Sequence, residues 1–474
     1  MINQLIFILV LTLLVVCILP DRQNIILSAY ALLGSTIGFL LSICLWINFN
    51  NLLPSFQFVT SFLGLSLGVD GISLHFILLT TFLFPICILI SWGPLHTRLF
   101  LICFLVIEIL LVLVFTVLDL FWFYIFFESI LIPIFLVIGI WGSRTRKIRA
   151  AYLFFIFTLV GSLFILCSIL YIYAVVGNTI YLSLIYYPFT FMEEKWLWLG
   201  FFLAFAVKVP IVPFHIWLPE AHVEAPTPAS AILAGILLKL GIYGFVRYSI
   251  PLFPIASVYY TPLVFTLGLI SIFYASVTAI RQTDLKRILA YASVAHTNIV
   301  VLGIFSGTAA GIYGCIIQSL SHGFVSAGLF LLIGTLYDRY HTRLFLYYGG
   351  LAHVIPIFSL FFLLLTLANV SLPGTSSFVG EFLVLVGLFE VNPFVCVLSA
   401  CSLVLGAIYS FWLLNRMLYG NLKLQYLKSF TDLNKREVIA LIPLLLIVFY
   451  MGVWPGVFLE NLHSAVNFWT HFFD

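Results

Sequence analysis

Four ionisable side chains, Glu128, Lys208, Lys239 and Glu381, stand inside long apolar stretches of the chain. A charge at the centre of a hydrocarbon layer costs roughly 2.5 to 3.5 kcal/mol, so four left unpaired would amount to about 10 to 14 kcal/mol. The chemistry these residue types share is reversible proton binding. Moving one charge through 100 mV requires about 2.3 kcal/mol and one pKa unit corresponds to about 1.4 kcal/mol. A swing of under about two units therefore matches 100 mV, and burial or pairing shifts a buried amine by up to about 3 to 5 units. His296 and His322 add imidazoles in apolar surroundings, and an imidazole can relay a proton between hydrated sites.

The elements that must position these groups are membrane helices. Of 474 residues 64% are hydrophobic and 8% charged, against about 25% charged in a soluble domain, so a soluble fold and a hidden soluble catalytic domain are both excluded. At about 20 residues per crossing, the apolar runs predict an all-α polytopic membrane protein of about 14 transmembrane helices. The candidates fall in predicted helices 120 to 141 (Glu128), 196 to 217 (Lys208), 228 to 249 (Lys239), 288 to 306 (His296), 311 to 337 (His322) and 350 to 391 (Glu381). Glu128 follows Asp119 by nine residues, which places it about 13 Å along an axis that crosses some 30 Å of hydrocarbon. Lys239 lies about 17 Å into its helix, again near the centre.

Two helices carry breaks. Pro210 and Pro213 follow Lys208 closely, and Leu372-Pro373-Gly374 interrupts a run too long for one straight span. Proline removes a backbone donor and glycine tolerates the freed geometry, so helices 7 and 12 are expected to be discontinuous. Unwinding beside Lys208 would bring carbonyls and water to its ammonium, and Glu381, two turns past its break, would be carried toward one face. The plain alternatives are a protonated packing carboxyl at 128, satisfied core histidines at 296 and 322, and a Lys208 that snorkels. About a dozen mostly apolar residues precede Lys208 in its helix, which argues against snorkelling. His215 and His222 lie beyond Pro213 toward a loop, and Glu108 in the fourth helix has no local partner.

Loop charges test the span count independently. With alternating helices, one face collects Arg22, Arg98, Arg144, Arg146, Lys147, Arg149, Arg281, Lys286, Arg287, Arg339, Arg343, Arg416, Lys423, Lys428, Lys435 and Arg436, while the other receives only Lys195 and Arg247. The first face is then the cytoplasm or matrix, with both termini opposite. The first apolar run, Ile2 to Leu19, has no basic segment before it and no cleavage site after it, so it reads as a span. Without an Arg- and Ser-rich transit peptide, an organellar chain of this kind would be made inside its organelle and a bacterial one inserted directly. The eight cysteines include no C-x-x-C pair, which leaves iron–sulfur and zinc sites unsupported and favours small buried hydrophobes. No GxGxxG or P-loop pattern supports a nucleotide or flavin bound by this chain.

A repeat is also legible. The cluster Pro210, Pro213 and Pro219 and the Pro373-Gly374 break are five helices apart, and Gly161 to Leu166 (GSLFIL) resembles Ala327 to Leu332 (AGLFLL) at the same shift. An odd shift inverts orientation, the pattern of inverted-repeat transporters with an ion site at the midplane.

The segment Lys208 to Gly244, KVPIVPFHIWLPEAHVEAPTPASAILAGILLKLGIYG, resembles subunit 4 of NADH dehydrogenase, the antiporter-like membrane chains of respiratory complex I. Also similar are Asp119 to Gly142, Gln282 to Asn298 (QTDLKRILAYASVAHTN), Ser319 to Arg339 (SLSHGFVSAGLFLLIGTLYDR) and Leu372 to Phe382 (LPGTSSFVGEF). The resemblance implies fourteen helices with two inverted five-helix repeats, divided as an N-terminal segment 1–98, repeats 99–249 and 250–418, and a basic loop with a last helix at 419–474. It implies that Glu128 pairs with Lys208, that Lys239 is the central proton carrier, that His296 and His322 join the half-channels, and that Glu381 serves the exit. No redox cofactor is implied in this chain; NAD, FMN, iron–sulfur clusters and ubiquinone would belong to partner subunits. The implied partners are neighbouring antiporter-like membrane-arm subunits and membrane lipids, without nucleic acid. The implied setting is the mitochondrial inner membrane with both termini in the intermembrane space, or a bacterial plasma membrane. His75, in VDGISLHF, departs from a stretch that is usually more apolar in this family. The rival functions are a subunit of a multi-chain sodium/proton antiporter, with the same buried charges, and a structural membrane subunit without a proton path of its own.

Overall fold

The computed structural model describes residues 1–20, 24–62, 64–92, 98–423, 425–426 and 430–470. Arg22 and Lys428, assigned above to the basic face, lie outside the described residues. The chain is built of helices α1 (Ile2–Ile18), α2 (Asn24–Ile47), α3 (Gly71–Ile90), α4 (Arg98–Thr116), α5 (Leu120–Trp141), α6 (Lys147–Val176) and α7 (Phe191–Lys208). After the short helix Trp217–Glu224 come α8 (Thr227–Leu252), α9 (Pro254–Arg281), α10 (Leu285–Phe305), α11 (Ala309–Tyr340), α12 (Pro356–Asn369, resuming as Ser376–Val391), α13 (Pro393–Leu418) and α14 (Lys435–Val453). Eleven of these are long and apolar enough by themselves to cross a membrane. The other three depart for visible reasons. Helix α1 has 17 residues, α7 carries Glu193, Glu194, Lys195 and Lys208, and α12 is interrupted. A fourteen-helix reading is consistent with this set.

The apolar runs do not predict a hairpin that the structure contains. Between α2 and α3 the strands β1 (Gln57–Phe62) and β2 (Leu65–Val69) pair antiparallel as a hairpin. Leu65, Leu67 and Val69 alternate with Ser66 and Gly68, a period of two, and all but Ser66 are buried.

Burial runs inside out relative to a soluble protein. The best membrane windows of α3, α8, α10 and α11 are 89%, 100%, 94% and 100% buried inside the protein, whereas those of α2, α6 and α13 are 33%, 39% and 33% buried. Lipid tails solvate apolar side chains as well as a protein core does, so the polar residues are what must turn inward. Three of the four central helices carry Lys239, His296 and His322.

Small residues allow the closest approaches. A Cβ placed on Gly380 would meet the Gln318 backbone at 2.7 Å, and one on Gly241 would lie 3.1 Å from the Lys208 Cβ. Helix α11 can therefore lie against the second half of α12, and α7 against α8. Gly380→Val is expected to cost about 1–3 kcal/mol by overpacking and to reduce the amount of folded protein recovered from membranes. Wild-type recovery and thermal stability would show that these helices do not approach so closely.

Candidate functional site

Both breaks in the helices are built. After Lys208 the backbone leaves the helix and resumes at Trp217, and the groups freed there find partners. Trp217 Nε1 donates to the Val207 carbonyl at 2.9 Å, and the Val212 N–H donates to Ser271 Oγ at 2.9 Å. Thr297 Oγ1 donates to the Val209 carbonyl at 3.4 Å. Irregular backbone at membrane depth persists where neighbouring helices satisfy it in this way. The expectation that freed carbonyls would ligate Lys208 is corrected: Lys208 Nζ has no hydrogen-bond partner among the described residues and lies 4.5 Å from the centre of the Phe127 ring.

The second break, between Asn369 and Ser376, places Gly374 at φ 93° and Ser371 at φ 64°. A non-glycine residue held in the left-handed region often sits at a functional site. Here Ser371 Oγ donates to Glu381 Oε2. Gln318 Nε2 donates to Glu381 Oε1 at 2.8 Å, and His296 Nδ1 lies 2.9 Å from the same oxygen. Glu381 thus accepts from three elements while only 2% exposed.

Lys239 stands between two wide turns of α8, the π-helical segments Leu233–Leu237 and Phe245–Ser249. Such turns inside an α-helix often mark functional positions because they offset side chains and re-aim carbonyls. Lys239 Nζ donates to the Ala234 carbonyl in the first of them at 2.6 Å and lies 2.8 Å from His322 Nδ1. The rings of His322 and His296 are 5.8 Å apart between centres. A series therefore runs Lys239, His322, His296, Glu381, with direct contact at both ends and one water-sized or side-chain-swing gap between the imidazoles. A cavity of about 10 Å³ adjoins His296 and Glu381 together with Asn369, Ser402 and Tyr409, close to the lower limit of space for one water molecule.

The other pair is arranged differently. Both oxygens of Glu128 are buried without a hydrogen bond among the described residues. No ion pair within 4.0 Å joins Glu128 to Lys208, though each lies within the other's electrostatic field. The two are neighbours, not a contact pair. Glu108 likewise has both oxygens buried without a partner.

On the side of the basic loops a cavity of about 460 Å³ is lined by Lys286, Asp338, Arg343, Arg436, Trp92 and Trp141. Lys286 and Arg343 are not solvated loop charges as the span count suggested; each is only 1% exposed. Lys286 Nζ donates to the Ala225 carbonyl at 2.9 Å and to Ser230 Oγ at 3.1 Å, and Ser230 Oγ donates to the His222 carbonyl at 3.1 Å. His222 is fully buried, stacked on Phe330 at 4.8 Å, and feels the charges of both Lys286 and Lys239. Sequence reading had set it toward a loop. Its neighbour His215 packs instead against Tyr274, with ring centres 5.0 Å apart. His75 lies off the series, its Nδ1 2.6 Å from the Gly71 carbonyl.

Among the described residues no group of three or more His, Cys, Asp or Glu side chains is placed to hold a metal ion. The eight cysteines are free; Cys87, Cys103 and Cys315 are buried, while Cys44, Cys167 and Cys401 face outward and correct the reading of all as core residues.

A family described as NADH:quinone oxidoreductase/Mrp antiporter, transmembrane, matches residues 118–406, which span every member of the series. NADH-ubiquinone oxidoreductase chain 4 of Chondrus crispus is 52% identical over 463 residues, covering 96% of this chain and 94% of its own. The protein of the same name from Arabidopsis thaliana is 53% identical over 458 residues, covering 95% and 92%. A chain of respiratory complex I from Thermus thermophilus, solved with bound NADH, superposes with a TM-score of 0.91 at 32% identity over 100% of both chains. With relatives matched over nearly their whole length and the buried series inside the matched segment, the chain belongs to the NADH-ubiquinone oxidoreductase chain 4 family.

Proposed function

We propose that this chain is a proton-translocating membrane subunit of NADH:ubiquinone oxidoreductase, driven by redox chemistry in partner subunits. The observation that carries the reading is the series Lys239, His322, His296, Glu381, with contacts of 2.8 and 2.9 Å at its two ends, buried inside the protein. Lys239 is the central carrier, the two imidazoles relay, and Glu381 delivers toward the outlet. Glu128 and Lys208 act on the carrier through charge. An ionised Glu128 lowers the cost of a proton on Lys208. Uptake runs from the basic face through the Lys286 and Asp338 cavity toward His222 and Lys239.

The basic face is the matrix side of a mitochondrial inner membrane, with both termini in the intermembrane space, following the bias of loop charges. Segments 99–249 and 250–418 form the two inverted halves, flanked by 1–98 and 419–474. The partially buried outer helices suit neighbouring membrane-arm subunits and lipid, and NAD, FMN, iron–sulfur clusters and ubiquinone belong to the partners. The matched family also takes in Mrp antiporters, so sodium-dependent exchange without redox partners is the rival outcome. In the assembled complex reconstituted into vesicles, Glu128→Gln and Lys208→Ala are each expected to slow proton pumping about fivefold, about 1 kcal/mol on the barrier. Full pumping in both variants rejects the roles given to them.

A further inference from the structure

Helix α8 carries a second buried cation that the proton series does not use. Arg247 lies eight residues past Lys239, about 12 Å further along the helix, toward the face opposite the basic loops. It is 6% exposed and ion-paired with Asp70, itself 7% exposed, at the N-terminus of α3. Arg247, one of the two basic residues expected on that face, is instead inside the protein. Asp70 Oδ1 also accepts the Ser73 N–H at 2.9 Å, and Arg247 Nε donates to the Tyr243 hydroxyl at 3.2 Å. The guanidinium lies 4.8 Å from the Phe56 ring and 5.5 Å from each of Tyr181 and Tyr243.

Above this pair, on the way to Lys239, the space is filled by rings. Phe76 stacks on Phe115 at 5.3 Å, and Tyr243, four residues after Lys239, meets Phe115 edge-on at 5.1 Å and Phe76 at 6.0 Å. All three rings are 1% exposed. The contrast with the other direction is sharp in chemistry: toward Glu381 every step from Lys239 is a group that can exchange a proton, whereas toward Arg247 the steps are aromatic faces and one phenol. A buried ion pair adds little net stability over well-packed apolar residues of the same volume, so joining α8 to α3 does not by itself call for charges.

We propose that Arg247 and Asp70, beneath the Phe76, Phe115 and Tyr243 plug, form a seal that keeps protons on the central series from leaking to the opposite face through the first half of the molecule. The inference rests on the pumping function proposed above. A guanidinium stays protonated and cannot pass a proton on. The guanidinium and the Ser73 N–H are already bonded to the Asp70 carboxylate. The rings exclude the water that would otherwise bridge the gap. Protons on Lys239 are left with the histidine route.

Removing only the cation reverses this logic. In Arg247→Met the Asp70 carboxyl stays buried without its partner, neutralises by protonation, and becomes a group able to exchange protons. In the double variant Asp70→Asn/Arg247→Met neither position of the pair carries a titratable group, the neighbouring Tyr243, Tyr181 and His75 being unchanged, and the amide oxygen can still cap α3. The test is passive proton flux across vesicles holding the assembled complex, driven by an imposed pH gradient with electron transfer inhibited. Arg247→Met is expected to raise that flux about tenfold, equivalent to a barrier lowered by about 1.4 kcal/mol, and the double variant to return it to the wild-type level. A tight Arg247→Met complex overturns the proposal, and so does a double variant that leaks as much as the single one. Should Arg247→Met not assemble, Phe76→Ala opens the plug without touching the pair; it must leak, and a tight membrane overturns the seal. Because turnover is blocked, these outcomes are independent of whether the chain pumps, which is read from Lys239 variants during turnover.

Discussion

Lys239→Met is expected to stop proton pumping in the assembled complex and to lower NADH:quinone turnover at least about tenfold, or about 1.4 kcal/mol on the limiting barrier, while leaving assembly close to wild type. Lys239 is fully buried, and methionine retains most of its length and shape. The substitution forfeits the bonds to the Ala234 carbonyl and to His322, a loss of about 1–3 kcal/mol. It also removes a charge whose burial costs roughly 2.5 to 3.5 kcal/mol. These effects oppose each other, so function and stability should separate. Lys239→Arg distinguishes a carrier from a fixed charge: the guanidinium preserves the positive charge but does not release its proton at any physiological pH, and it should be as inactive as methionine. Turnover and protons moved per NADH, normalised to assembled complex, measure both variants. Coupled pumping at the wild-type rate in Lys239→Met, or a working Lys239→Arg, would remove Lys239 from the path.

What the chain declares locally and what only folding supplies differ by kind. The places of Glu128 and Lys239 along their helices follow from counting residues along apolar runs, because a helix advances by a fixed rise. The breaks at Pro210 and Pro373-Gly374 are legible because proline and glycine act on their own backbone. Pairing is not local. Lys239 and His322 are 83 residues apart, and His296 and Glu381 are 85 apart, so no periodicity connects them. The same holds for Gln318 and Ser371, which read as ordinary polar residues until the close packing at Gly380 and the turn at Ser371 aim them at one carboxylate. The π turns around Lys239 leave no compositional mark, since the apolar run continues through them. The position of His222 beyond Pro213 predicts a loop side chain, whereas a new helix, Trp217–Glu224, starts past the break and buries it. The family resemblance supplied the expectation of a Glu128 and Lys208 pair, and the geometry tempers it to a coupling through the field.

Glu381→Gln should be the second severe lesion, and it tests the far end of the series. Three donors converge on this carboxylate: His296 Nδ1 and Gln318 Nε2 on Oε1, and Ser371 Oγ on Oε2. A carboxylate accepts at both oxygens, whereas a primary amide offers one acceptor and one donor. With its nitrogen toward Gln318 the amide opposes an N–H, and a buried bond left unmade costs about 1–3 kcal/mol; turned the other way it keeps its oxygen for His296 and Gln318 and donates to Ser371 Oγ, which can accept. The amide also takes no proton from His296. Pumping is expected to fall at least about tenfold, with Lys239 and His322 undisturbed. Glu381→Asp keeps a titratable carboxylate one methylene shorter and should pump slowly, and Ser371→Ala, which removes one neutral donor, should cost only about 0.5–1.5 kcal/mol. The order glutamine worst, aspartate intermediate, Ser371→Ala mildest separates proton transfer from packing. A packing role predicts the opposite order for the first two, because glutamine matches the volume of glutamate and aspartate leaves a void beside the cavity at Asn369 and Tyr409.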